Sequence, residues 1–359
     1  MKQKRFPYFS FGRAEDSCAK AVKRRRERTL WHFFLASIVG CCVVVSIASS
    51  ATADGRRPER WVRLSPATSP PARSYLAMTY DPASGKIVMF GGYDGTGYLN
   101  DTWTFDGTTW SQVATPISPP RRAAAQIAYD ASTQKVVLFG GYNGTRYLGD
   151  TWIWNGKTLR WNRAQPAHSP LPVTSPMVFA DPNGSVDVLG GFDGRFYQYS
   201  MWQWTGSDWN QLSLVMLPYA RSSAAVGVNA VTGEVVLFGG LADINPVNTW
   251  TYDGTAWTLQ FPSTQPLWVY SASAAFDPNL DAVVLFGGGS GGVDQNTTWE
   301  WTGSDWQQLR TARRPPAREG AGMAYDPTLG HVIIFGGQNS EVPLGDTWNS
   351  SRKLPISDL

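Results

Sequence analysis

A glycine pair that closes a short apolar run recurs six times, and this repetition restricts the chain more than any other feature. The pairs are Gly91-Gly92 after KIVMF, Gly140-Gly141 after KVVLF, Gly190-Gly191 after VDVL, Gly239-Gly240 after EVVLF, Gly287-Gly288 after AVVLF and Gly336-Gly337 after HVIIF. Successive pairs stand 48 to 50 residues apart. A fixed period of this length marks a repeat architecture, in which no unit can bury its apolar faces alone. Two tryptophan series keep the same period. Trp103, Trp152, Trp202, Trp250, Trp299 and Trp348 follow each pair by 10 or 11 residues, and Trp110, Trp161, Trp209, Trp257 and Trp306 come seven to nine residues later. The second series is completed by Trp61, which precedes Gly91 by 30 residues, the interval of 29 or 30 that separates the others from their following pair. The repeat is therefore circular.

Each unit reads as four antiparallel strands: an inner segment such as LAMTYDP, the apolar run, a short W-x-[FWY] strand and an outer strand that begins at tryptophan. The apolar run lacks polar alternation, as a strand covered on both faces must. Asp106-Gly107, Asn155-Gly156 and Asp253-Gly254 supply the positive φ of tight turns between the third and fourth strands. The expected fold is all-β, a six-bladed β-propeller of four-stranded antiparallel blades. A large ring recurring at one position in every sheet reads as packing between blades, which leaves Trp268 as the one tryptophan of the domain outside the pattern.

Charge and cysteine separate the N-terminus from this domain. Residues 1–28 hold ten Lys or Arg and three acids, +7 against +3 for the whole chain, so the remainder carries −4. The basic balance is thus a tail and not a nucleic-acid footprint on the domain. An apolar run follows at 30–48 and then Ala51-Thr52-Ala53, the order of a signal peptide with cleavage before Asp54. Nineteen mostly apolar residues also suffice for an uncleaved anchor. A lipobox at Ile38-Val39-Gly40-Cys41 is disfavoured by the apolar run continuing past it. The organisation expected is a basic n-region at 1–28, a signal peptide or anchor at 29–53 and the propeller at 54–359, exported beyond the cytoplasmic membrane. Cys18, Cys41 and Cys42 all precede the domain, so it has no disulfide framework and no cysteine nucleophile or ligand.

The Gly-Gly pairs after apolar strands, the tyrosines Tyr98, Tyr147 and Tyr197 beyond them and the paired tryptophans resemble kelch repeats over residues 60–350. The resemblance implies closure by an N-terminal outer strand that joins the C-terminal blade. It also implies that an arginine following a proline stands at the mouth of the central channel. Arg73, Arg122, Arg221 and Arg318 occupy that register and, with Trp268, Tyr270 and Glu319, would ring one ligand pocket. The other reading makes each arginine a structural bridge to a loop aspartate such as Asp101 or Asp150. Both stand at this point.

The functional expectation is a binding module that holds a protein or glycan ligand at the channel mouth and favours an anionic group there, with no cofactor, no metal and no nucleic acid. The alternative is a sialidase-like, glycan-active enzyme using Tyr270, Glu319 and the arginines. A galactose-oxidase type copper site needs two histidines, two tyrosines and a cysteine, whereas the domain has only His168 and His331 and no cysteine.

Overall fold

The computed structural model describes residues 60–351, Asn245 and Ala312 apart. The segments read as n-region and as signal peptide or anchor lie outside the described residues. The fold is all-β, with six blades of four antiparallel strands. Blade one, from the inside outward, is Ala77–Asp81, Lys86–Phe90, Thr102–Phe105 and Trp110–Val113. Blades two to five repeat this order, beginning at Gln126, Met177, Ala225 and Ser273. In blade six, Gly322–Asp326, His331–Phe335 and Thr347–Ser351 are flanked on the outside by Arg60–Leu64, which pairs with Thr347–Ser351 from Arg60 opposite Ser351 to Leu64 opposite Thr347. The six inner strands neighbour one another in a closed circle.

Past its first residue, the second strand of every blade but the third is apolar because its two faces meet different neighbours. Ile87 and Met89 pack with Ile333 and Phe335 of blade six, while Val88 and Phe90 pack with Val136 and Leu138 of blade two. Six apolar clusters result, one at every blade interface. Each outer-strand tryptophan is buried there and hydrogen-bonds the preceding blade. Trp61, Trp110, Trp161, Trp209 and Trp306 donate their indole N–H to Thr298, Thr347, Thr102, Thr151 and Thr249 at 2.8–3.1 Å. In blade four Trp257 donates instead to the Met201 sulfur at 3.2 Å. The polar edge of each ring is thus satisfied inside an apolar interface.

Two closed rings of backbone hydrogen bonds run around the axis. In the outer one, the N–H of the second glycine of each pair donates to the next blade, as from Gly92 to the Arg122 carbonyl at 2.9 Å and from Gly337 to the Arg73 carbonyl at 2.9 Å. A Cβ on Gly91 would stand 2.7 Å from that Arg122 oxygen, and Gly92 has φ of 108°, so both positions require glycine. In the inner ring, Tyr75, Ala124, Ser175, Ser223, Ser271 and Gly320 each donate N–H to the preceding member's carbonyl at 2.7–3.0 Å, Tyr75 to Gly320 completing the circle. All six are left-handed, with φ of 48° to 62°. The cost of that conformation to the five non-glycine residues, about 1 kcal/mol each, is offset by the bonds it permits.

Blade three breaks the apolar rule. Asp187 stands where the other blades have Val88, Val137, Val236, Val284 and Ile333, and it is fully buried opposite Gln203. Burial, reinforced by Asp181 beside it, pushes its carboxyl up to about 9. The folded value lies above the unfolded one, near 4, so the fold carries no cost from this group at low pH and loses stability as pH rises from about 4 toward 9. Asp187→Val is expected to raise the melting temperature at pH 8 by an amount corresponding to a few kcal/mol, since each tenfold change in proton affinity is worth about 1.4 kcal/mol. It should also flatten the fall in stability between pH 5 and pH 8. Melting curves of both proteins across that range check this, and an unchanged slope counts against a protonated Asp187.

Candidate functional site

The four arginines of the shared register are sealed within the structure at 0–1% exposure. Arg73 makes two bonds to the Asp101 carboxylate at 2.6 and 2.9 Å, and further bonds to the Gly91 and Pro71 carbonyls at 3.0 and 3.1 Å. Arg122 treats Asp150, Gly140 and Pro120 in the same way, and Arg318 treats Asp346, Gly336 and Pro316 likewise. The same aspartates accept the indole N–H of Trp103, Trp152 and Trp348 at 2.6–2.7 Å. Burial alone would raise these carboxyls, but the arginine hydrogen bonds and charge outweigh it and hold Asp101, Asp150 and Asp346 below the usual range. The expectation of a guanidinium pocket for an anionic ligand is therefore corrected: each arginine is a bridge that ties the entry to an inner strand to the loop after its own glycine pair.

The repeat varies as a unit. Blades three and five carry Val173 and Val269 in the arginine register and Ser200 and Thr297 in the aspartate register, so the cation and the anion are lost together. Blade four keeps Arg221 but has Asn248, whose amide oxygen accepts one bond at 3.0 Å. Arg221 Nη2 and the Trp250 indole N–H are left buried without partners among the described residues, and burial drags the Arg221 guanidinium down to about 10.

Strand ends assign the faces. Connections between first and second strands, and between third and fourth, lie at one end of the blades, whereas the loops after the glycine pairs lie at the other. On this second face the residue after the register arginine bridges to the residue after the glycine pair. Ser74, Ala123, Thr174 and Ser222 stand opposite Tyr93, Tyr142, Phe192 and Leu241, small against large. Blade five inverts the pattern with Tyr270 opposite Gly289, and blade six sets Glu319 opposite Gln338. The first three blades so carry an arc of half-exposed rings, Tyr93, Tyr98, Tyr142, Tyr147, Phe192 and Tyr197, with neighbouring centroids 5.0–6.2 Å apart.

Of the residues singled out in the sequence, Trp268, Tyr270 and Glu319 come together on this face. The Trp268 and Tyr270 rings lie 5.5 Å apart, and the Trp268 indole donates to the Gly240 carbonyl at 2.7 Å. Glu319 Oε1 accepts from the Tyr75 hydroxyl at 2.7 Å and from Gln338 Nε2 at 2.9 Å, while the Ser74 hydroxyl donates to Gln338 Oε1 at 3.0 Å. Burial and the nearby Asp294, opposed by the Tyr75 and Gln338 bonds, lift the Glu319 carboxyl to about 7. Burial, then Glu319 and Asp294, push the Tyr270 hydroxyl up to about 12. Tyr75, Gln338 and Asp294 were not foreseen. Tyr75 had a signal: its register in the other blades is Ala124, Ser175, Ser223, Ser271 and Gly320, so it is the one large side chain on the inner ring.

Fold and face together define a propeller scaffold with a variable loop face. Residues 56–215, the closing outer strand and blades one to three, match the family model of the KLHDC2/KLHL20/DRC7 Kelch-repeats domain. That stretch carries a Kelch-repeat domain, and the described residues as a whole form a six-bladed β-propeller. No curated protein matches it.

The clamp makes a directed prediction. Asn248→Asp supplies a carboxylate to both orphaned donors of blade four and is expected to stabilise the protein by about 1–3 kcal/mol. Arg318→Ala strands the Asp346 carboxylate and should cost about 3 kcal/mol or more. Urea denaturation of the two variants measures both. A neutral Arg318→Ala would remove the bridge role.

Proposed function

We propose that this protein is an interaction module that holds a protein partner on its loop face, around the mouth of the channel, outside the cytoplasm. The observation that carries the reading is the arc of half-exposed aromatic rings confined to that face. Tyrosine and phenylalanine offer large contact area at low entropic cost and are enriched where proteins bind one another. The opposite face is made of tight turns such as Asp106 to Thr109, whose aspartate is saturated by its own turn. Phe196 and Tyr199, each 58% exposed on the loop face, extend the arc outward. Export rests on the apolar stretch at 30–48 and the small residues that follow it. A glycan ligand, or glycan chemistry on the same scaffold, fits less well, because the arginines it would use are sealed in bridges.

A photo-crosslinking residue introduced at Phe196 tests the face, with the same residue at Val231, 73% exposed in a turn of the opposite face, as the control. A discrete adduct from Phe196 in intact cells, competed away by the purified domain and absent from Val231, is the expected outcome. Equal labelling from both positions, or none from either, counts against a binding face here. N-terminal sequencing of the mature protein should begin at Asp54 if the segment is cleaved, and recovery of the full chain in the cytoplasm overturns export.

A further inference from the structure

We infer that the rim formed by Tyr75, Tyr270, Glu319 and Asp294, with Trp268 beside it, is a site for a cationic group, the ammonium or guanidinium of a basic side chain on the partner protein. The inference rests on the interaction reading above and gives the partner's chemistry at one point of that face. Glu319 is 3% exposed, and only its Oε1 is hydrogen-bonded; Oε2 is buried and has no partner among the described residues. It reaches the space left by Gly289, where a Cβ would stand 2.6 Å from both Oε2 and the Tyr270 ring. Glycine at 289 is what allows carboxylate and ring to lie side by side.

Asp294, in the blade-five hairpin, accepts the Ser340 N–H of the blade-six hairpin at 2.7 Å and adds a second carboxylate. Neither acid has an ion-pair partner among the described residues. Glu341 nearby adds more negative charge. The arginine closest in sequence, Arg318, is committed to Asp346, and Arg73 to Asp101. Two acids without an ion-pair partner among the described residues, set among two tyrosines and a tryptophan, attract a cation by charge and by the ring quadrupoles, whereas an anion is repelled. Binding should also be linked to protons: a cation favours the ionised form of Glu319, so affinity rises with pH through about 7.

Titration of the protein with N-acetyl-arginine amide, N-acetyl-lysine amide and N-acetyl-glutamate amide, followed by backbone amide NMR, tests this. The two cationic probes should shift the amides of Tyr270, Glu319 and Ser340 saturably, with up to about ten-fold tighter binding at pH 8 than at pH 6, as a carboxyl titrating near 7 predicts. The glutamate probe should leave them unmoved. Glu319→Gln, checked by its melting temperature, should remove the pH dependence and most of the affinity. Asp294→Asn, whose residue sits in a half-exposed hairpin, should weaken binding if Glu319→Gln fails to fold. Equal response to all three probes, or no saturable shift at pH 8, overturns the site. Probe binding without a Phe196 adduct would instead sink the interaction reading, and an adduct without probe binding would sink the cation site alone.

Discussion

The closed inner ring of six backbone hydrogen bonds is the constraint on which the rest of the molecule depends. Each bond fixes one blade against the next at the point nearest the axis, and a ring of such bonds has no end from which to fray. It requires a left-handed residue in every blade, so the chain turns sharply there and enters the inner strand at a set angle. The register arginine lies two residues upstream of that turn, and its carbonyl accepts from the preceding blade's second glycine. Both rings therefore meet on the same short segment, and the arginine side chain below it ties that segment to its own blade.

This arrangement explains why the arginines are buried charges rather than ligand contacts. A guanidinium enclosed at the base of a loop needs every donor used, and the carboxylate and two carbonyls in blades one, two and six come close to using them all. Where the carboxylate is absent the arginine is replaced as well, except in blade four, where Asn248 leaves two donors stranded. The loops above the clamp are then free to differ, because their stems are held independently of their tips. Blades five and six, at the same loop length as blades one to three, form short two-stranded hairpins there, and these bring Asp294 and Gln338 into the rim with Tyr270 and Glu319.

Period, strand number and the packing role of the tryptophans were legible in the sequence because each recurs six times, and repetition makes a packing role visible without coordinates. The function of the arginines was not, since an identical residue in every blade serves a repeated bridge and a converging pocket equally well. What decided between them was the partner 27 or 28 residues downstream, and the joint replacement in blades three and five was already a sign of it. The rim was half legible. Trp268, Tyr270 and Glu319 stood out as departures from the repeat, but Tyr75 stood out only against the inner-ring register, whose significance depends on a hydrogen-bond pattern no spacing reveals. Asp187 was hidden for the opposite reason: inside an apolar run, one acid looks like a surface position until both faces of the strand are known to be covered.

The directionality of the bonds between blades has a consequence for how such a molecule can change over time. Every outer tryptophan finds its acceptor in the preceding blade, and every second glycine finds its acceptor in the following one, while the arginine clamp stays within its own unit. In these recurring bonds a blade asks only for what any neighbour of the same kind would offer, and copying or excising a whole unit would leave each of them with an equivalent partner. Nothing in these contacts counts to six. The number is set by how much each unit turns about the axis before the first and last meet, so blade count is a property of accumulated angle and can drift in a lineage without any single bond being redesigned.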